Sequence, residues 1–286
     1  MASVHERLVQ ARQVLTRAGL DADEATLDAE VLARHVLGWD RATLIGRWRD
    51  PAPAGFDEQL GPLVARRAAR EPIAYITGHR EFWGLDFEVT PDVLIPRPET
   101  ELVIEEARLF ASEVRLPRSA VDVGTGSGCI AVALAREFLG VHVTATDISP
   151  AALDVARRNA GRLGVADRVT LIQADLLDGA PRAADLIVSN PPYVAAGDAP
   201  SLPPEVRLHE PHAALFGGDA DGLHMVRRLL ASAATHLAPG GRLIMEFGFG
   251  QDGAVREAAQ NSGWETVRVT ADLQAIPRVA VLRRSL

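Results

Sequence analysis

A chain of 286 residues has room for a domain of ordinary size and a smaller companion, and 47% hydrophobic with 24% charged residues is the balance of a soluble globular protein. No apolar run approaches the roughly 18–20 residues of a membrane span, and the formal charge of −8 argues against a protein that grips nucleic acid chiefly through phosphates. All 30 Lys+Arg positions are arginine, so a P-loop lysine, a Schiff-base lysine and a lysine general base are excluded. The N-terminal stretch has no apolar signal core, and the single cysteine, Cys129, has no disulfide partner within the chain. A cytoplasmic protein is expected.

The first seventy residues read as a small helical bundle. Leu8, Ala11, Leu15 and Ala18 share one helical face, and Ala29, Leu32, Ala33, Val36 and Leu37 share another, with Gly38 ending the second helix. Asp40 caps a short third helix, and Leu60, Leu63 and Val64 mark a fourth after the Pro51-Ala52-Pro53 break. Arg34, Arg41, Arg47, Arg66, Arg67 and Arg70 read as its solvated outer face. Over residues 71–98 the period changes: Leu85, Phe87 and Val89 alternate after a Gly84 turn, which predicts a β-hairpin linker. It ends in Ile95-Pro96-Arg97-Pro98-Glu99-Thr100-Glu101, a proline-framed entry to a helix over 99–110, or a wall of a cofactor pocket.

From Ser119 onward strands and helices alternate, which predicts an α/β domain over 99–286 with a mostly parallel sheet covered on both faces. Its first strand, 120–123, runs into Gly124-Thr125-Gly126-Ser127-Gly128 and then a helix over 129–137. Glycines let the backbone turn sharply and approach a ligand, and the helix start supplies free N–H groups. Asp147, at the end of the next strand, is placed to accept from both hydroxyls of a ribose. A dinucleotide site would also carry such an acid, but its fingerprint spaces the glycines G-x-G-x-x-G, and here the third comes one residue early. The spacing suits S-adenosylmethionine, which has a ribose and no pyrophosphate.

Ser149 caps and Pro150 opens the next helix, and a third strand over 169–172 leads to Asp175 and Leu176. Asp175 is a candidate acceptor for an adenine amine, with Leu176 against the ring; a simple strand-end turn is the alternative. The fourth strand, Leu186-Ile187-Val188, delivers Asn190-Pro191-Pro192-Tyr193 beside the glycine loop. Two prolines give up their N–H donors and hold the backbone away from helix, so Asn190 offers an oxygen and Pro191 a carbonyl to an NH2 group, whose flat face Tyr193 covers. A helix over 222–237, a turn at Pro239-Gly240-Gly241, a fifth strand over 243–247, a helix over 252–262 and a hairpin over 266–282 complete the chain. Glu246 reads as a strand-end carboxylate rather than a second acid, and His209 and His212 as incidental; no metal is expected.

Asp122-x-Gly124-x-Gly126-x-Gly128 together with Asn190-Pro191-Pro192-Tyr193 resembles the S-adenosylmethionine-dependent amino-methyltransferases. Glu71-Pro72-Ile73-Ala74-Tyr75-Ile76-Thr77-Gly78, Glu81-Phe82-Trp83, the segment from Ile95 to Glu101, Glu205-Val206-Arg207, Glu210-Pro211, Gly217-Gly218 and Asp221-Gly222-Leu223 resemble the bacterial HemK-type protein-glutamine methyltransferases, over nearly the whole chain. That resemblance implies a Rossmann-like class I methyltransferase domain with a seven-stranded, mostly parallel sheet whose last strand is antiparallel. It implies as substrate the Gly-Gly-Gln glutamine of peptide-chain release factors, methylated on its amide nitrogen, with the helical domain helping to hold that partner. Gly124, Thr125, Gly126, Ser127, Gly128, Asp147, Asp175 and Leu176 are then the cofactor residues, with Asn190 between cofactor and acceptor, and Asn190, Pro191, Pro192 and Tyr193 the substrate residues. Two positions depart from the pattern: Leu176 stands where some relatives have an aromatic, and Ala275 where glycine is expected, which puts its turn in question.

In this reading Asn190 and the Pro191 carbonyl accept both N–H bonds of the amide and Tyr193 fixes its plane, so no catalytic His or Lys is required. A monomer that binds neither nucleic acid nor membrane is expected. The rival enzyme is a nucleic-acid methyltransferase acting on the exocyclic amine of adenine or guanine, which the same four residues would serve. A non-catalytic binding module on the same scaffold is the third reading.

Overall fold

The computed structural model describes residues 2–285. The chain forms two compact units: one runs through Gly78 and includes Pro203–His209, and the other comprises His79–Leu202 and the chain from Glu210 onward.

The first unit begins with α1 (Val4–Arg17), α2 (Ala22–Leu37), α3 (Arg41–Arg47), α4 (Phe56–Ala68) and α5 (Ile73–Thr77). Ser3 and Glu6 close a reciprocal capping box on α1, Asp21 and Asp40 cap α2 and α3, and α2 stops at Gly38 with φ 64°. The apolar stripes meet in one core of Leu8, Leu15, Leu32, Leu44, Phe56 and Leu60; each such side chain withdrawn from water is worth roughly 1.5–3 kcal/mol. Ala18 is exposed as the C-cap of α1, and Val4 fills the buried face instead. Residues 73–77, expected at the start of the hairpin linker, form a helical turn ended by Gly78 at φ 80°.

In the second unit β1 (His79–Phe82) and β2 (Leu85–Glu88) pair as an antiparallel hairpin. Trp83 and Gly84 both have positive φ, as a two-residue turn matching strand twist requires. A 3-10 turn, Pro98–Thr100, leads into α6 (Glu101–Glu113), followed by β3 (Ser119–Val123), α7 (Cys129–Glu137), β4 (His142–Asp147), α8 (Pro150–Arg162), β5 (Val169–Gln173) and β6 (Ala184–Ser189). The chain then leaves this unit for α9 (Pro204–His209), which belongs to the first, and returns for α10 (His224–Ala233), β7 (Leu237–Glu246), α11 (Asp252–Asn261), β8 (Trp264–Ala271) and β9 (Pro277–Arg284).

One residue of the first unit overturns its sequence reading. Arg67, expected on a solvated face, is 3% exposed, because it continues the buried stripe of Leu60 and Val64. Its guanidinium meets Asp28 and Glu24 of α2 at 2.5 Å each and Glu205 of α9 at 2.9 Å. A buried cation is tolerable only with such partners.

The strand order is β5-β4-β3-β6-β7-β9-β8, with β3 to β7 parallel and β9 antiparallel to both neighbours, so the seven-stranded sheet and its antiparallel last strand are as expected. Alternate residues face opposite layers: Leu186 and Val188 pack with Val103 and Ile104 of α6 and Leu134 of α7, while Ile187 and Leu243 pack with Leu229 and Leu230 of α10. The helix expected over 222–237 is shorter, because Leu237 already pairs with Ala184. Pro239-Gly240-Gly241 is a bulge within β7 rather than a turn before it, since the next pairing is Leu186 with Arg242. The order reverses between β3 and β6, and the carboxyl ends beside that switch point are where open α/β sheets bind ligands.

Candidate active site

Sheet register sets the site. Val123 pairs with Thr146 on one side and Ser189 on the other, and Ser189 pairs with Met245. One residue further along each strand, Asp147, Gly124, Asn190 and Glu246 therefore follow in a row at the carboxyl ends. Four elements far apart in sequence deliver one side chain or backbone turn each.

On the β3–β4 side the glycine loop is tied down from both ends. Gly124 N–H and Thr125 N–H both donate to the Thr146 carbonyl at 2.9 Å, and Gly126 N–H donates to Asp147 Oδ2 at 2.9 Å. Asp147 Oδ1 accepts from Ser149 N–H at 2.9 Å. The acid expected to meet a ribose thus also fixes the loop, and each oxygen keeps further lone-pair capacity. Gly124 and Gly126 have φ of 72° and 54°, and a Cβ on either would meet open space, so the backbone there stands bare toward a ligand. Gly128 differs: its Cβ would lie 3.0 Å from the Ala156 Cβ, so close packing against α8 requires it. Asn159, fully buried, accepts from Glu88 N–H and donates to the carbonyls of Glu88 and Ser127, joining hairpin, α8 and loop.

Beneath the loop Asp122 Oδ2 accepts from the Thr125 hydroxyl at 2.6 Å and from Ala131 N–H at 3.1 Å. Its Oδ1 and the Ser127 hydroxyl are buried without a partner among the described residues. Burial pushes the Asp122 carboxyl up to about 7, against those two hydrogen bonds. Asp175, the candidate adenine acceptor, lies at 2.7 Å from Arg228 and is partly exposed. Leu176 follows with φ 53°, an uncommon backbone for a branched residue, and its carbonyl accepts from the Thr146 hydroxyl at 2.7 Å. Bare glycine backbone, unpaired buried oxygens and a strand-end carboxylate together fit an amino-acid nucleoside such as S-adenosylmethionine.

On the β6–β7 side the Asn190 amide donates through Nδ2 to the Thr100 hydroxyl at 3.0 Å. That hydroxyl donates to Glu246 Oε2 at 2.5 Å, and the Tyr193 hydroxyl donates to Glu246 Oε1 at 2.9 Å. Burial drives the Glu246 carboxyl upward, and the two hydroxyls oppose it. Burial, then the facing carboxylate, raises the Tyr193 phenol, which stays protonated. Pro191 is buried, while Asn190, Pro192 and Tyr193 are partly exposed.

The backs of Pro192 and Tyr193 are braced by glycines. A Cβ on Gly217 would lie 1.8 Å from the Gly222 carbonyl oxygen and 2.9 Å from that of Pro192; one on Gly222 would lie 2.2 Å from the Tyr193 carbonyl oxygen. Gln251 donates to the carbonyls of Tyr193 and Asp221, both at 2.9 Å. Glu210, 4% exposed, accepts from Ile95 N–H at 3.2 Å and pairs with Arg97 at 2.5 Å, anchoring the proline-framed segment that carries Thr100.

The structure therefore brings together the glycine loop, Asp147, Asn190 and Tyr193 as expected from sequence, and adds Thr100, Glu246, Gln251 and Asn159. Glu246 was accessible in principle: aligning strand ends puts it one step past Met245, beside Asn190. Thr100 had no local signal beyond its proline-framed context.

Known proteins resemble this chain along nearly its whole length. Residues 6–78 match the family model for the PrmC N-terminal domain, and residues 105–202 that for the methyltransferase small domain. A release factor glutamine methyltransferase of Cereibacter sphaeroides is 45% identical, over 94% of this chain and 94% of its own length. Its namesakes in Koribacter versatilis and Nitratidesulfovibrio vulgaris are 44% and 40% identical, over 92% and 100% of this chain and 93% and 96% of their own lengths. Among solved structures, a methyltransferase from Pyrococcus furiosus superposes with a TM-score of 0.53 at 21% identity, over 78% of this chain and 98% of that one. The hMettl16 catalytic domain, crystallised with the MAT2A 3′UTR hairpin 1, gives 0.56 at 18%, over 78% and 80%; both likenesses are of fold.

Proposed function

This chain belongs to the family of release factor glutamine methyltransferases, and from that premise we propose how its own residues methylate the side-chain amide nitrogen of the glutamine in a release factor's Gly-Gly-Gln loop. The methyl group comes from S-adenosylmethionine, which when bound supplies an electrophilic carbon on a sulfonium. Gly124, Thr125, Gly126, Ser127, Gly128 and Asp147 form its seat, with Leu176 flanking the base. The helical unit serves as the partner-holding domain.

An amide nitrogen is a weak nucleophile because its lone pair is delocalised into the carbonyl. Asn190 Oδ1 and the Pro191 carbonyl accept its two N–H bonds, and the Tyr193 ring fixes its plane, so the lone pair faces the cofactor side. Polarised N–H bonds raise electron density on nitrogen and stabilise the positive charge that develops there. After transfer the extra proton on nitrogen passes to solvent water, so no buried base is needed. The observation that carries this reading is the orientation of Asn190, whose NH2 is turned inward to donate to Thr100, which leaves its oxygen for an incoming donor.

The test is mass spectrometry of a release factor incubated with the protein and S-adenosylmethionine. One methyl group on the loop glutamine, absent when that glutamine is alanine, is the expected result. Methyl transfer to duplex DNA or RNA with none to the release factor would overturn the substrate. Asn190→Ala should cut turnover at least about tenfold, the scale of one transition-state hydrogen bond of about 1.4 kcal/mol, with a smaller change in cofactor affinity. Unchanged turnover would remove Asn190 from this role.

A further inference from the structure

An acidic side chain shut away behind the acceptor loop needs a reason, since burying a polar group is costly unless it is hydrogen-bonded. Glu246 is 1% exposed and Thr100 2% exposed, so neither reaches a substrate. What they touch is the machinery: Thr100 bridges Glu246 to Asn190, and Tyr193 closes onto the other carboxylate oxygen.

The direction of the chain of bonds follows from what each group can do. Both hydroxyls donate to Glu246, Tyr193 to Oε1 and Thr100 to Oε2, so the Thr100 hydroxyl spends its single proton there and keeps only lone pairs. Those lone pairs can be met by the NH2 end of Asn190 and not by its oxygen. An asparagine amide rotated by half a turn would put its donor outward, where it would face the N–H bonds of the acceptor amide and repel them. The carboxylate thereby decides, through one hydroxyl, which end of Asn190 faces out. Its second oxygen holds the Tyr193 hydroxyl, so the same group sets the ring beside that amide.

We propose that Thr100 and Glu246 are positioning residues for methyl transfer, a polarity relay that locks Asn190 with its oxygen toward the acceptor and Tyr193 in register with it. The proposal rests on the role of Asn190 given above. It assigns a function to two residues that the motif does not contain, in the segment before α6 and at the end of β7.

The experiment compares Thr100→Val, which keeps the branched shape and removes the hydroxyl, with Thr100→Ser, which keeps the hydroxyl. Thr100→Val should lower kcat about tenfold or more while KM for the release factor and Kd for S-adenosylmethionine stay within about twofold, and Thr100→Ser should recover most of the loss. Because Thr100 itself bonds Asn190 and not Tyr193, Thr100→Val added to Asn190→Ala should cost little beyond Asn190→Ala alone. Glu246→Gln supplies an independent arm. Its NH2 can donate to Thr100 and turn that hydroxyl's proton toward Asn190, so kcat should fall at unchanged cofactor affinity. Wild-type kcat in Thr100→Val, equal losses in the Val and Ser variants, or multiplying effects in the double variant would each overturn the relay. Full activity of Asn190→Ala itself would instead remove the reading beneath it.

Discussion

Ala275 sits between Asp272 and Pro277 at φ 61°, in the left-handed region that glycine enters freely and alanine does not. The turn is nevertheless intact. Asp272 Oδ1 accepts from the N–H groups of Gln274 and Ile276, Oδ2 pairs with Arg278 at 2.9 Å, and the carbonyl of Asp272 accepts from Ala275 N–H. The side chain of Asp272 therefore holds alanine in a conformation its own sterics oppose, which answers the question the missing glycine raised. A left-handed L-residue costs roughly 1–2 kcal/mol, and glycine gives back roughly 0.5–1 kcal/mol through its freedom in the unfolded chain. Ala275→Gly should then stabilise the protein by up to about 1 kcal/mol, read as a melting point higher by roughly 2 °C. A melting point at or below wild type would show that the turn carries no such strain.

Connecting segments, more than strands and helices, decide whether the acceptor loop keeps its shape. Gly222 has φ 72°, and any Cβ there meets the Tyr193 carbonyl oxygen, whereas Gly164 has the same φ with nothing nearby. Gly164→Ala should cost only about 1 kcal/mol of backbone strain. Gly222→Ala must also push the acceptor loop, so it should cost at least ~2 kcal/mol and lower turnover at least tenfold, with cofactor affinity nearly kept. Calorimetric titration and a methyl-transfer assay on both variants check this; matched effects would mean that the brace is irrelevant. The strands, the glycine loop, Asp147 and the Asn-Pro-Pro-Tyr turn were legible in sequence because each is a local pattern: an apolar run, a glycine spacing, a strand-end acid, two prolines. Thr100, Glu246, Arg67 and the membership of α9 were not, because each depends on which distant segments the topology brings together. Arg67 shows the limit well: its spacing from Leu60 and Val64 marks a buried face, but only the carboxylates of Glu24, Asp28 and Glu205 make burial of a guanidinium possible.

The sheet as a whole carries two buried carboxyls along its ligand-binding edge, Asp122 and Glu246, both pushed upward by burial. Their effect on folding runs opposite to that of the paired surface acids, such as Asp221, which the Arg227 hydrogen bond holds down at about 2. For Asp122 the folded value of about 7 lies well above the unfolded one, which is near 3.9 for an ordinary aspartate. The folded state therefore binds this proton more tightly, so its contribution to stability is fully present below about pH 4 and is lost as pH rises to about 7. Integrated over pH 5 to 8, that one group should weaken the fold by roughly 2–3 kcal/mol. Asp122→Asn removes the titration while its Oδ1 keeps the bonds from Thr125 and Ala131, and its NH2 occupies the position of an oxygen without a partner among the described residues. Glu246 and the surface acids titrate in both proteins and cancel in the comparison. Urea unfolding of cofactor-free wild type and Asp122→Asn at several pH values should show the difference moving in favour of the variant by that amount between pH 5 and 8. Parallel stability curves would mean that Asp122 stays ionised in the fold, with a donor to its second oxygen that burial and geometry do not reveal.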